Sequence, residues 1–480
     1  MSPQAAFEYL NRISGIAPLA MPQFEGGEAA IPTPFRAATA AAASLGLAAA
    51  AAAEIWRFRG GDRQSVGVAL PAAAASLAAA ALVRKNGTPL PPFQHAVPTG
   101  FYHSADARWV YLHGGFPHLA RRTFDLLNAR SDEKAVVESV AKWNALALED
   151  ALAFMQLSGA VVRSEEEWRG SVQGRVAGAP IQLKKIGQTP PGRLKESRTP
   201  LAGLRVLDLT RVIAGPACTQ LLAMHGAEVL TVSAERLPQL PELDFAFSCG
   251  KRRTQLDLAK PADAEALRRL ARQADIFVDS YRPGALAALG FSPASLAHIA
   301  PGMIHVGISA YGSEGPWAGR RGWEEVVQAA TGLALEQGAF LAPRRKARRE
   351  PWPELIPAAV LATVSGYLAA AGVLAAMLHR IREGGSWQVQ VSLAATAAWL
   401  ASLGRIDASR VPEAWEPRSG LDQYLQSCET KDGRFELLGP VVRMSKTPLL
   451  ASPPPDRFDL PHWASEHEEA NAAEIQPAQA

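Results

Sequence analysis

From residue 201 onward, short apolar runs with period-two alternation take turns with stretches whose apolar positions recur at helical spacing. The pattern predicts strands at 205–209, 228–232, 276–279 and 303–309, with helices at 217–226 and 261–274. Strands alternating with helices imply an α/β fold, a doubly wound parallel sheet with ligand loops at the carboxyl ends of its strands. A different pattern occurs twice. Residues 45–70 and 368–393 each read as an alanine-rich helix, a glycine stop and an alternating strand. Without a gap, Arg57 pairs with Arg380, Arg59 with Arg382, Gly61 with Gly384, Val66 with Val389 and Val68 with Val391. Further on, Asp106-Ala-Arg-Trp-Val-Tyr-Leu matches Asp432-Gly-Arg-Phe-Glu-Leu-Leu, a hairpin turn entering a strand. Shared composition would account for two alanine-rich helices. It does not account for arginines, a glycine and a strand phase that all agree. The reading is a partial copy of one unit fused ahead of a fuller copy.

At 480 residues the chain exceeds one ordinary core, so two or more lobes are expected. Proline, glycine and charge without apolar periodicity run from residue 184 to 200. The expected organisation is therefore an N-terminal partial repeat at 1–185, a linker at 186–200 and a main domain at 201–480. A net charge of +3 is too small to suggest a nucleic-acid partner. Cys218, Cys249 and Cys428 are far apart and match no metal spacing, so no metal is expected and a reducing cytoplasm is. The alanine-rich stretches 37–55 and 69–83 read as close-packed helices and not as membrane spans, because alanine contributes little transfer energy. The opening residues have no signal-peptide pattern.

The first strand is followed by Thr210-Arg-Val-Ile-Ala-Gly-Pro216 and not by Gly-x-Gly-x-x-Gly, which argues against a nicotinamide site. The turn still aims backbone amides and Arg211 at the start of a helix, where a phosphate-bearing ligand would sit. The basic run at 343–349 has no interleaved aromatics and reads as a solvated loop. His113 and His118 lack a third ligand and read as structural or surface residues.

Taken together, five ordered motifs resemble the family III CoA-transferases. They are the Ala-Gly-Pro turn, Gly250-Lys-Arg-Arg253, Ser280-Tyr-Arg-Pro-Gly284, Ala310-Tyr-Gly-Ser-Glu-Gly-Pro316 and Gly322-Trp-Glu-Glu-Val-Val-Gln-Ala329. The resemblance implies a Rossmann-like lobe, a smaller α+β lobe around 423–440, and acyl-CoA and a carboxylic acid acceptor as substrates. It implies that coenzyme A contacts Arg211, Ile213, Ala214, Asp257, Lys260, Ser280, Tyr281 and Arg282, with Arg321 and Trp323 near its pantetheine end. Family members form interlocked dimers, so a homodimer is a further expectation.

The same resemblance places the family's nucleophilic aspartate at Ala362, counted back from Ser365-Gly-Tyr-Leu-Ala-Ala-Ala-Gly-Val-Leu-Ala-Ala376. Alanine can supply no nucleophile, base or acid. Glu324 and Glu354 are the nearest carboxylates in the sequence, and Glu324 is the catalytic candidate. Two readings stay open: a transferase with a displaced nucleophile, and a non-catalytic acyl-CoA-binding homologue. A racemase of 2-methylacyl-CoA thioesters needs a His and Asp pair, where this chain has Trp323 and Ala362.

Overall fold

The structure, a computed structural model, describes residues 1–464 except positions 18, 29, 92–95, 193, 238–239 and 345–351. The first part contributes β1 (Gln23–Glu25), β2 (Val66–Ala69), β3 (Arg84–Lys85), β4 (Thr88–Pro89), β5 (Gly100–His103), β6 (Trp109–Leu112), β7 (Gly159–Val161) and β8 (Gln182–Gly187). The second contributes β9 (Arg205–Leu209), β10 (Glu228–Ser233), β11 (Lys251–Gln255), β12 (Ile276–Asp279), β13 (Ile304–Ser309), β14 (Ser386–Ser392), β15 (Leu425–Thr430), β16 (Gly433–Leu438) and β17 (Val442–Met444).

A seven-stranded sheet runs in the order β11-β10-β9-β12-β13-β14-β8. Its first six strands are parallel and β8 is antiparallel. The order reverses between β9 and β12, so the crevice for a ligand lies beyond their carboxyl ends. The doubly wound fold read from the sequence is therefore present, with β9 and β12 at their expected positions. The pattern did not reveal β11, because Lys251, Arg252 and Arg253 break the apolar signal. It forms at the sheet edge, where Arg252 pairs with Glu228 at 3.0 Å and with Asp459 at 2.8 Å.

Two long helices, Ala37–Phe58 and Val360–Glu383, pack against each other at the centre. Both are long and apolar enough to cross a membrane, yet 89% and 100% of their most apolar windows are buried inside the fold. A helix apolar all round is stable only when covered all round, and alanine lets neighbours come close. Gly366 shows how close. A Cβ there would fall 2.4 Å from Ala214 O and 3.2 Å from Cys218 N, both backbone atoms of the helix Ala214–Met224. Gly366→Ala is expected to cost about 1–3 kcal/mol by overpacking, measured by chemical denaturation.

Residues 184–187, expected in an exposed connection, instead complete β8. Lysine and glycine hid the strand; its ladder to β14 makes it. A three-stranded sheet, β1-β2-β17, mirrors this arrangement. There β1 is parallel to β2 and β17 is antiparallel to it, as β13 and β8 are to β14. Two smaller sheets complete the fold. β15 and β16 extend through β3 to β4, uniting the 423–440 hairpin with the first part. β5, β6 and β7 pack on the helices Pro117–Leu127, Glu133–Val140 and Ala145–Phe154 around a separate apolar cluster.

Candidate functional site

The turn after β9 carries Arg211, and its shape is set from below. Asp208, fully buried, accepts from Thr210 N at 2.9 Å, Thr210 Oγ1 at 2.5 Å and Thr219 Oγ1 at 2.5 Å. Lys251 Nζ neutralises it at 3.3 Å and also donates to Thr219 Oγ1 and Pro216 O. The lysine of the Gly-Lys-Arg motif thus fastens this turn from within the fold. Val212 is held at φ 74, a left-handed conformation costly for a β-branched residue. Gly215 sits against Thr210, where a Cβ would lie 2.1 Å from the threonine Cβ. The Ala-Gly-Pro turn is therefore a close-packed joint that starts the helix and presents its amides. Ile213 is its N-cap and Ala214 its first residue, both half-buried.

On one side of the crevice, a cleft is lined by Thr210, Arg211, Ser233, Arg253 and Phe458. On the other, a cleft of about 180 Å³ is lined by Asp279, Tyr281, Arg282, His305 and Gln390. Ser280, Tyr281 and Arg282 occupy the exposed turn after β12, where Asp279 accepts from Tyr281 N at 3.2 Å and pairs with His305 at 2.8 Å. Burial lowers the Arg211 guanidinium from its usual range, while Tyr281 and Asp244 act to raise it. Asp257 and Lys260 lie farther along, beyond β11. There Asp257 pairs with Arg236 at 3.3 Å, and Lys260 is exposed.

Trp323 is clamped by the first part of the chain. His113 stacks on it with centroids 4.9 Å apart, and Phe116 meets it edge-on at 5.3 Å. The Arg211 guanidinium lies 5.6 Å from the centre of the same Phe116 ring. Arg321 donates to Gln156 O at 2.8 Å, and burial beside Arg282 and Arg122 lowers its guanidinium from the usual range. Phe116, Gln156 and Arg122 were invisible to sequence reading, since they belong to a segment with no ligand motif.

Glu324 is buried at the N-terminus of the helix Val360–Glu383. Its Oε1 accepts from Leu361 N at 2.9 Å and Gln328 Nε2 at 2.8 Å, and its Oε2 accepts from Ala362 N at 2.5 Å. Gln328 is held in turn by Ile356 N at 2.9 Å. Burial pushes the carboxyl up to about 7, with Glu325 adding to the rise, against the opposing pull of the three donors. The helix lacks a capping side chain of its own at Ala359, and Glu324 meets its orphan N–H groups across the fold. A carboxylate therefore lies on the backbone of the residue where the resemblance expects an aspartate. Such a group, 9% exposed beside Trp323, can act as nucleophile or base once ionised.

Arg211, Trp323, Arg321, Glu324 and Ala362 are thus brought to one region, with Tyr281 and Arg282 at its rim. Asp257 and Lys260 belong to the outer loops. Among the described residues no group of three or more His, Cys, Asp or Glu is placed to hold a metal ion. The part of the basic run from residue 345 to 349 falls outside the described residues.

Residues 201–435 match CoA-transferase family III. The chain is 30% identical over 417 residues to an acyl-CoA transferase of Gibberella moniliformis, covering 74% of this chain and 72% of that one. It is 35% identical over 207 residues to a probable fatty acyl-CoA transferase of Mycobacterium tuberculosis, covering 40% of this chain and 50% of that one. It also matches the acetyl-coenzyme A transferase nodX of Hypoxylon pulicicidum, of which it spans 56%. A solved CaiB/BaiF family protein from Brucella suis is 25% identical, with a TM-score of 0.37 over 50% of this chain and 65% of that one.

Proposed function

Since the chain belongs to CoA-transferase family III, we propose that it binds an acyl-CoA across the carboxyl ends of β9 and β12 and moves CoA between carboxylic acids. Glu324 supplies the carboxylate. The observation that carries this reading is the contact of Glu324 Oε2 with the backbone N–H of Ala362. On this reading Glu324 serves in place of the aspartate that the resemblance expects at Ala362.

The steps balance with one carboxylate. Glu324 attacks the thioester carbonyl, giving a mixed anhydride and CoA thiolate. The thiolate attacks the glutamyl carbonyl, forming a glutamyl-CoA thioester and releasing the first acid. The acceptor carboxylate attacks that thioester and expels CoA thiolate again. The thiolate then attacks the acceptor carbonyl, leaving a new acyl-CoA and free Glu324. Arg211, Arg282 and Lys260 suit the nucleotide phosphates. The Trp323 face, fixed between His113 and Phe116, suits the neutral pantetheine arm. Three free thiols are consistent with a reducing, cytoplasmic setting.

Trapping the acyl-enzyme with hydroxylamine or borohydride tests the chemistry. Incubation with acyl-CoA is expected to leave a modification at Glu324. Because burial raises this carboxyl to about 7, only its ionised form attacks, so the trapping rate is expected to rise about tenfold per unit below that pH and level off above it. A flat rate between pH 5 and 8 would remove the raised carboxyl, and an adduct mapped to another residue would remove Glu324 as the nucleophile.

A second reading, an acyl-CoA-binding homologue without transfer, is favoured by the engagement of both Glu324 oxygens at the helix terminus. Under it, acyl-CoA binds in calorimetry and no adduct forms at any pH.

A further inference from the structure

We propose that residues 1–188 are a built-in second subunit, so that one chain is an interlaced pseudo-dimer completing a single acyl-CoA site by itself. The ligand in this statement rests on the function proposed above; the interlacing does not.

The two halves exchange strands. β8 closes the first half in sequence but edges the large sheet through β14, while β17 closes the second half and edges the small sheet through β2. Neither half finishes its own sheet. The long helices that precede β2 and β14 begin alike: Arg36 has φ −81 and ψ 60, and Ala359 has φ −80 and ψ 61. Each lacks a capping side chain and takes a glutamate instead, half-buried in the case of Glu28 and buried in that of Glu324. Glu28 accepts from Ala38 N at 3.0 Å and Thr39 N at 2.9 Å, as Glu324 does from Leu361 and Ala362. Ala38 and Thr39 correspond to Leu361 and Ala362 by the offset that pairs Arg57 with Arg380. Glu28 reaches its helix from a nearby turn, and Glu324 reaches its own from a distant segment. The carboxylate is thus placed by geometry in both halves, and burial raises the carboxyl of each.

The halves are not equivalent for ligand. Among the described residues, the first has no counterpart of β9 to β12 or of the turns that follow them, so the crevice exists once. At its mirror position Thr39 is 1% exposed and its hydroxyl donates to Glu28, so the carboxylate there is held as a cap on the helix N–H groups. What the first half contributes is a wall of the other's site: His113 and Phe116 on Trp323, and the Gln156 carbonyl on Arg321.

Light scattering of the full chain is expected to give 51.1 kDa. Calorimetry is expected to give one CoA per chain, and Phe116→Ala to weaken it about tenfold or more without changing the mass or the melting cooperativity. A two-chain particle that loses CoA when diluted to single chains, two CoA per chain, or unchanged affinity in Phe116→Ala would each overturn the proposal. If CoA does not bind at all, the functional reading fails first, and a second measurement decides this one. A protease site inserted at exposed Gly192 is cut in the folded chain. Fragments that stay together as one 51 kDa particle until denaturant is added support the interlacing. Fragments that part on cutting overturn it.

Discussion

Glutamine in place of Glu324 is expected to reduce CoA transfer on the order of 10³-fold or more, while CoA affinity stays within about threefold. The amide is close in size and keeps one oxygen for the Leu361 N–H, but it cannot form the anhydride. Its NH2 would face the Ala362 N–H, donor against donor, at a cost of about 1–3 kcal/mol in stability. Steady-state transfer with a labelled acceptor acid, a CoA titration and a melting curve separate these effects. Equal loss of binding and transfer would assign Glu324 to the helix cap alone. Full transfer activity would show that the chemistry lies at another residue.

Methionine in place of Lys251 is expected to lower stability by about 3–5 kcal/mol, because Asp208 would keep a buried charge with no counterion. The side chains of Asp208 and Lys251 are 0% and 2% exposed, so water cannot take over. Burial lowers the lysine from its ordinary range, and Asp208 holds it charged. The double change Asp208→Asn with Lys251→Met is expected to recover part of the loss, since no charge is stranded. Because this pair shapes the turn that carries Arg211, the single variant is also expected to weaken CoA binding. A cost below about 1 kcal/mol by urea denaturation would show that the pair is dispensable.

The parallel sheet was legible because β9, β10, β12 and β13 are buried on both faces and so read as short apolar runs. β11 was not, since its arginines are held by Glu228, Asp459 and carbonyls of the segment after residue 452, contacts that a local pattern does not contain. The repeat could be read in helix, glycine and strand phase, but the exchange of β8 and β17 could not. Alternation says that a strand exists, not which sheet it joins. The site divides the same way. Arg211, Trp323 and Glu324 stand in motifs and could be picked out. Phe116 and Gln156 act through a fold contact with a distant segment, and nothing in their own neighbourhood distinguishes them.

The crossing of β8 and β17 also bears on how the chain is made. While it emerges from the ribosome, β2 waits with one edge unpaired until residue 444 has been synthesised, almost the whole length later. An open apolar edge held for that interval invites pairing with other nascent chains. Biogenesis should therefore be slow and dependent on chaperones, and truncations that end before β17 should accumulate as aggregates instead of as a smaller folded product.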